Sequence, residues 1–575
     1  MRSTALQAIL GTAALLSFPA IAGAASNPIC PDNTAFFNPT LPPSINLPQG
    51  FTASVFAAGL NFPTGIAFRG TGGQFEVFVL ESGHGLPSPC NDQSSPIVGG
   101  DFSQGNPFTP DILVFNQNGR KIRGPIGKPT VGGGGFQPAG PAVDIGFERG
   151  FAGGPLFATD SDQSTHAHNG PNNSSRIVTV NPNTGQVNPF ITGLPTGDHP
   201  TEQLAFKDGW IYWSQGSTTN SGVVGLDNGG GANQPDIPCQ DIVLSNNVFV
   251  SEEGVATSGY SSFGVQRPGA TVRAFEGALH QGVCDGAILR ARLNAAHPEN
   301  TIEPFSWGYR NGYAIRFPPK NHPLAGGLLV GEDGADERGA RPTNNAPDPV
   351  QLARQNSDGS PDYHGWPDRL GFLPSSQAVF NPIGGPSDDV CPPPFDQATC
   401  VANLKAAGDI PVKDVLAFPP QQITAPLAIE AADSSFTGVD FVPDAFVGGP
   451  VKPDAVLYSL EGDFGFSPEN ATDPAPVIGH EIKLINFNQV PNSPLALKIQ
   501  NFARNSTGDQ AFVTNINGFN RPTNIKFGPD GCAYVVDYGA VRDLGSDSHF
   551  AGPPSNGPLV QIPGTGAVWK ICPSQ

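Results

Sequence analysis

Three short stretches of this chain carry residue types that do chemistry. The first is Gly197-Asp198-His199. An imidazole with a near-neutral pKa suits the removal of a proton from a hydroxyl, and the carboxylate beside it can orient the ring. The second runs from Trp307-Gly-Tyr-Arg-Asn311 through Gly331-Glu-Asp-Gly-Ala-Asp-Glu-Arg338 to Asp358-Gly-Ser-Pro-Asp-Tyr-His-Gly-Trp-Pro367. Arg310 offers a planar fork that binds a carboxylate through two parallel hydrogen bonds, and Asn311 adds donors beside it. The turn at Gly334-Ala335 can aim backbone carbonyls inward, the oxygen ligands that a hard cation such as calcium takes. The third, Asn520-Arg521-Pro522, brings another guanidinium. Each stretch also has a plain structural reading: a surface loop histidine in one case, an arginine buried in an ion pair with a nearby carboxylate in the others. His166 and His168, in a Ser/Asn/Gly-rich loop with no third ligand nearby, read as exposed loop residues.

The elements that would position these residues are repeats. Six times an alternating apolar run ends in or next to Phe, turns through Gly, Pro or Asp, and is answered by a second apolar run. The copies are Pro63–Phe68 with Val77–Val79, Ala142–Phe147 with Leu156–Ala158, and Thr201–Phe206 with Trp210–Trp213. They continue with Gly312–Phe317 and Leu328–Val330, Thr437–Phe441 and Ala455–Tyr458, and Pro522–Phe527 and Ala533–Val536. Alternation at period two is a strand signal, and a two-strand unit cannot bury its apolar face alone, so the copies must stack. The expectation is an all-β fold, a six-bladed β-propeller with long loop insertions and four antiparallel strands per blade. His199, Arg310 and Arg521 each lie just ahead of a copy, which would bring all three to one end of the central channel.

Composition agrees. Gly (72) and Pro (61) supply turns, whereas 38% apolar residues and 38 Phe are too many for a disordered polymer. A repeat running from end to end argues for one propeller over residues 25–575, preceded by a secretory signal from Met1 to about Ala24: Arg2, then an apolar core, then Ala22-Gly23-Ala24. The expected location is therefore extracellular, and eight cysteines without zinc-type spacing read as four disulfides. Cys391 with Cys400 would close one loop and Cys532 with Cys572 would staple the last blade; Cys30 with Cys90 and Cys239 with Cys284 follow by elimination. Sequons at Asn172, Asn173, Asn470 and Asn505 suggest glycosylation. A net charge of −20 with scattered acids disfavours nucleic acid and anionic membrane as partners.

The ordered set Asp198-His199, Gly308-Tyr-Arg-Asn311, Gly331-Glu-Asp-Gly-Ala335, Gly365-Trp-Pro367 and Arg521-Pro-Thr-Asn-Ile-Lys-Phe-Gly-Pro-Asp-Gly531 resembles the glucose/sorbosone dehydrogenase family, six-bladed propellers that use pyrroloquinoline quinone (PQQ). The secreted fungal branch, which oxidises pyranoses and 2-keto-sugars, is the most similar. Leu47-Pro-Gln-Gly-Phe51 and Ala58-Gly-Leu-Asn-Phe-Pro63 look like this family's first blade. The resemblance implies a carbohydrate substrate, an external electron acceptor (a small quinone or a redox protein), PQQ and calcium. It also implies that His199 takes the hydroxyl proton, that Asp198, Arg310, Asn311 and Arg521 serve the cofactor, and that carbonyls of Gly334 and Ala335 ligate the calcium. Two positions depart from the pattern: Glu461 stands where bacterial soluble members carry Lys, and Thr523 where they carry a second Arg. A propeller that keeps the fold but binds carbohydrate or a protein without redox chemistry is the alternative, and a calcium-dependent lactonase-type hydrolase a lesser one.

Overall fold

The structure, a computed structural model, describes residues 41–83, 109–130, 134–138, 140–162, 173–225, 234–251, 254–336, 340–343, 346–374, 379–380, 410–462, 478–488, 496–542 and 560–574. The segment expected to be a secretory signal, His166, His168, Cys30, Cys90, Cys391, Cys400, Asn172 and Asn470 lie outside the described residues.

Each repeat forms the inner half of a four-stranded antiparallel blade, and the six blades make a β-propeller. The inner strands are Pro63–Thr71, Ile145–Phe147, Thr201–Lys207, Asn311–Arg316, Phe436–Phe441 and Pro522–Phe527, and the answering runs are their hydrogen-bonded neighbours. Blades three and five each gain a fifth strand, Asp362–Tyr363 in parallel and Ile45–Asn46 antiparallel.

Blade strands are covered on both faces, because each sheet is packed between two others. Val456–Leu460 is buried at every position, which an unbroken apolar run permits. The core therefore lies in the seams between blades. Ile66, Phe68 and Val77 of the first blade meet Tyr534 and Val536 of the sixth, and Ala314 and Leu329 of the fourth meet Phe436 and Tyr458 of the fifth. Gly331 is required in the latter seam: a Cβ there would fall 1.8 Å from the Phe436 ring.

The ring closes on itself. Phe51–Leu60 does not enter the first blade, as its similarity to the family's opening suggests; it is the outermost strand of the sixth and pairs antiparallel with Gly566–Pro573. Mixing strands from both ends of the chain ties the last blade to the first through backbone hydrogen bonds. A disulfide between Cys532 and Cys572 lies inside this blade, next to the Ala533–Ile571 pair, and a second joins Cys239 and Cys284 in the third-blade insertion. The sequon at Asn505 is not available in this fold. Its side chain is 2% exposed and donates to the carbonyls of Asp509 and Phe519, both at 2.7 Å. No helix among the described residues is long and apolar enough to cross a membrane.

Candidate active site at the channel mouth

The starts of the inner strands converge on one end of the channel, where the long insertions also lie. Below them the channel is bridged. Gln203 Nε2 donates to the Thr437 carbonyl (2.7 Å), Asn524 Nδ2 to that of Thr64 (3.0 Å), and Lys526 Nζ to Asp144 Oδ1 (2.7 Å). The mouth is thus a pit with a polar floor. A cavity of about 250 Å³ at the opposite end is lined by Phe68, Phe147, Phe206, Phe317 and Phe527, the residues that end the repeats. Its two cations, Arg316 and Lys526, are committed to Asp440 and Asp144, and its remaining charged residue is Glu148.

His199 is held by an extension of the third-blade ladder. Asp198 N donates to the Thr218 carbonyl (2.9 Å), His199 N to that of Ser217 (3.1 Å), and Gly216 N to that of Pro200 (2.9 Å). Gly216 has to be small, since a Cβ there would lie 2.2 Å from His199 Cβ. The imidazole is 20% exposed, with Nδ1 3.1 Å from Asp198 Oδ2 but off the line of a good hydrogen bond. Burial, with the Arg310 charge, lowers its pKa, and Asp198 only partly offsets this. A neutral ring with Nδ1 turned to Asp198 leaves Nε2 as the accepting nitrogen.

Arg310 is a structural knot. One terminal nitrogen reaches Asp198 Oδ2 (3.0 Å) and Asp336 Oδ2 (2.6 Å), and the other reaches the Gly334 carbonyl (2.7 Å). Its backbone N donates to Glu332 Oε1 (2.9 Å), its carbonyl accepts from Ser217 N (2.8 Å), and its side chain is 3% exposed. The buried ion pair is therefore realised at Arg310. Asp336 is fixed in turn by Asn220, whose amide accepts from Asp336 N and donates to its carbonyl.

Asn311 Nδ2 donates to Asp333 Oδ2 (3.1 Å), while Asn311 Oδ1 and Asp333 Oδ1 are buried without partners. Arg521 lies in the same mouth: its backbone N donates to Asp537 Oδ1 (2.8 Å), its Nη1 to the Gly462 carbonyl (2.9 Å), and Glu461 Oε1 is 4.0 Å away. The Trp366 stretch acts as a brace. Trp366 is buried in the third-blade core, and His364 stacks on Tyr309 while bonding Asp362 and Gln351.

Sequence reasoning missed Glu202, Tyr313 and His480. Glu202 is 2% exposed, and burial, with the charges of Glu461 and Asp198, raises its pKa well above the ordinary value. Tyr313 is raised by burial and by Glu202 and Glu461. His480 packs beside Arg521 with Nδ1 on the Asn520 carbonyl (2.8 Å), and burial with that cation lowers its pKa. The usable signal was Glu202 itself, a charge at the start of an inner strand whose next four residues are uncharged.

Whether these residues suit PQQ is a question of charge and donors. The unpartnered buried atoms Arg310 Nε, Asn311 Oδ1 and Asp333 Oδ1 mark a mouth built to meet something polar. Glu461 opposes an anion less than its type suggests, because burial raises its pKa to about 7 despite Arg521. Two guanidiniums and an amide are donors that fit carbonyl and carboxylate oxygens. Calcium fits less well: the Gly334 carbonyl is occupied by Arg310, and no group of three or more His, Cys, Asp or Glu among the described residues could hold a metal.

No family model and no curated protein matches the sequence. Solved structures similar to this chain include the holo form of the pyranose dehydrogenase PQQ domain from Coprinopsis cinerea (13% identity, TM-score 0.45, covering 92% of this chain and 97% of that one). Also similar is a Trichoderma reesei carbohydrate-active enzyme of family AA12 (14% identity, TM-score 0.46, covering 94% and 100%). A third is the soluble aldose sugar dehydrogenase from Escherichia coli in its apo form (12% identity, TM-score 0.44, covering 91% and 100%).

Proposed function

We propose that the protein is a secreted PQQ-dependent dehydrogenase of a pyranose or 2-keto-sugar that passes electrons to an external acceptor. The observation that carries this reading is His199: neutral, partly exposed, and braced by Asp198 and Arg310 at the mouth of a bridged propeller channel. The ordered motifs around it support the same reading, and the two disulfides support an oxidising compartment. When bound, the quinone would supply the two-electron sink that the protein's own residues lack. Arg310, Asn311 and Arg521 would hold its carboxylate and carbonyl oxygens. His199 Nε2 takes the proton of the substrate hydroxyl, and Asp198, with Asp336 behind Arg310, stabilises the imidazolium that results. Tyr313 and the amide of Asn311 offer further polar contacts for a polyol.

The test is His199→Ala in PQQ-loaded protein. PQQ uptake should be nearly unchanged, while sugar-dependent dye reduction falls about 10²-fold or more. Native turnover in the loaded variant would remove His199 from the mechanism. A wild-type protein that takes up no PQQ and reduces no dye would leave the non-redox propeller in its place.

A further inference from the structure

Antiparallel neighbours are usually joined by a short turn. In the third blade the chain instead leaves Trp210–Gln215 and returns at Ala287–Arg292, its hydrogen-bonded neighbour, only after the insertion 216–286. The start of this insertion, Ser217-Thr-Thr-Asn220, runs as a shelf along the segment that carries His199. The carbonyls of Ser217 and Thr218 accept from His199 N (3.1 Å) and Asp198 N (2.9 Å). The two segments have no slack between them, since a Cβ at Gly197 would run into the Thr218 backbone and one at Gly216 into the His199 side chain. A shift of the shelf therefore shifts His199.

Ser217, Thr218, Thr219 and Asn220 are all fully buried. A buried loop must find partners for its polar groups, and here they come from later in the same insertion. Thr218 Oγ1 donates to Asp285 Oδ2 (2.5 Å), while Thr219 donates to Asp236 through both Oγ1 (2.6 Å) and N (2.9 Å). The two acids are tied to each other as well: Ile237 N donates to Asp285 Oδ1 (2.9 Å), and Asp285 N to the Ile237 carbonyl (3.1 Å). The Cys239–Cys284 disulfide closes the same two segments, three residues after Asp236 and one before Asp285. At the end of the shelf Asn220 holds Asp336, which together with Asp198 holds Arg310.

We propose that Asp236 and Asp285 are positioning residues for His199: joined beside the Cys239–Cys284 disulfide, they hold the Thr218 and Thr219 hydroxyls and so fix the shelf whose carbonyls set the place of the imidazole. Both acids are buried behind the shelf, at 1% and 3% exposed, and act only through it. A reacting group misplaced by about 1 Å costs about 10²-fold in rate, so a loosened shelf is read in kcat. This rests on His199 being the base, as in the function proposed above.

The experiment is Thr218→Val, which keeps the shape of the side chain and removes its hydroxyl, with Thr218→Ser as the rescue. In cofactor-free protein, hydrogen exchange resolved to single amides should quicken about tenfold or more at Asp198 and His199 in Thr218→Val, and return toward wild type in Thr218→Ser. In PQQ-loaded protein, kcat for the sugar should fall about tenfold or more in Thr218→Val, with KM and PQQ uptake nearly unchanged. Placed on His199→Ala, Thr218→Val should cost no further turnover, because the clamp acts through a ring already removed. Additive losses, a native kcat or a change confined to KM overturn the inference while leaving the PQQ reading in place. A wild-type protein that takes up no PQQ and reduces no dye overturns both. If Thr218→Val does not fold, wild-type exchange decides. The amides of Asp198, His199, Thr219 and Ile237 should open as one unit, and faster exchange at Asp198 and His199 than at the other two overturns the clamp.

Discussion

At Arg310 a single side chain both braces the fold and faces the site. The sequence leaves open a fork for a ligand carboxylate or a buried ion pair with a nearby one, and in the structure the terminal nitrogens bond Asp198, Asp336 and the Gly334 carbonyl. Removing one partner of a buried pair strands the others, at a cost of about 3–5 kcal/mol. Arg310→Ala should therefore lower the denaturation midpoint and loosen Asp198 and His199 together, so that folding and PQQ uptake fail in step. Arg310→Lys should restore little, because one ammonium cannot replace three directed bonds. Chemical denaturation of the two variants checks this, and an Arg310→Ala protein of native stability would show that the knot is not structural. His199 and Arg521 were legible from their place ahead of a repeat. For Arg310 the ion pair with a nearby carboxylate, Asp336, was an open reading of the sequence, but the pair with Asp198 was not, because that partner lies 112 positions away in the chain.

At the scale of elements, the site rests on six strand starts and on the loops that pin them. Every inner strand was visible as alternation ending in or next to Phe, because both the pleat and the seam demand it. Phe51–Leu60 was not assigned to its blade, since strand pairing across the whole chain leaves no local trace. That pairing is reinforced by Cys532–Cys572, which spans 40 residues of sequence. Replacing both cysteines by Ser should cost about 2–4 kcal/mol by releasing the unfolded chain. The loss belongs to ring closure, so hydrogen exchange should rise first in Phe51–Leu60 and Gly566–Pro573, with the pit protected. Equal loosening in every blade would contradict the role of this blade as the closing one.

For the whole molecule, the excess of acid is partly internal. Burial raises Asp160 to about 6 and Asp236 and Glu461 to about 7. Between their ordinary and raised values such groups hold a proton in the folded protein that their unfolded counterparts have released. Their contribution to stability is thus complete below about pH 4 and is lost as pH rises through 6 to 7. Repulsion among the surface acids behind the net charge of −20 acts in the same direction. The melting temperature should fall between pH 5 and pH 8, and a flat or rising profile from scanning calorimetry would show these carboxyls to be ionised in the fold. What the sequence by itself determined is the repeat, hence the propeller, and the places where His199, Arg310 and Arg521 meet the channel, because strand alternation and position relative to a strand are local properties. What only the tertiary structure decided is which charges face one another: Arg310 against Asp198 and Asp336, and Glu202 with Glu461 beside Arg521. Electrostatic environment depends on distance and burial, and residues far apart in the chain acquire both only when the ring closes.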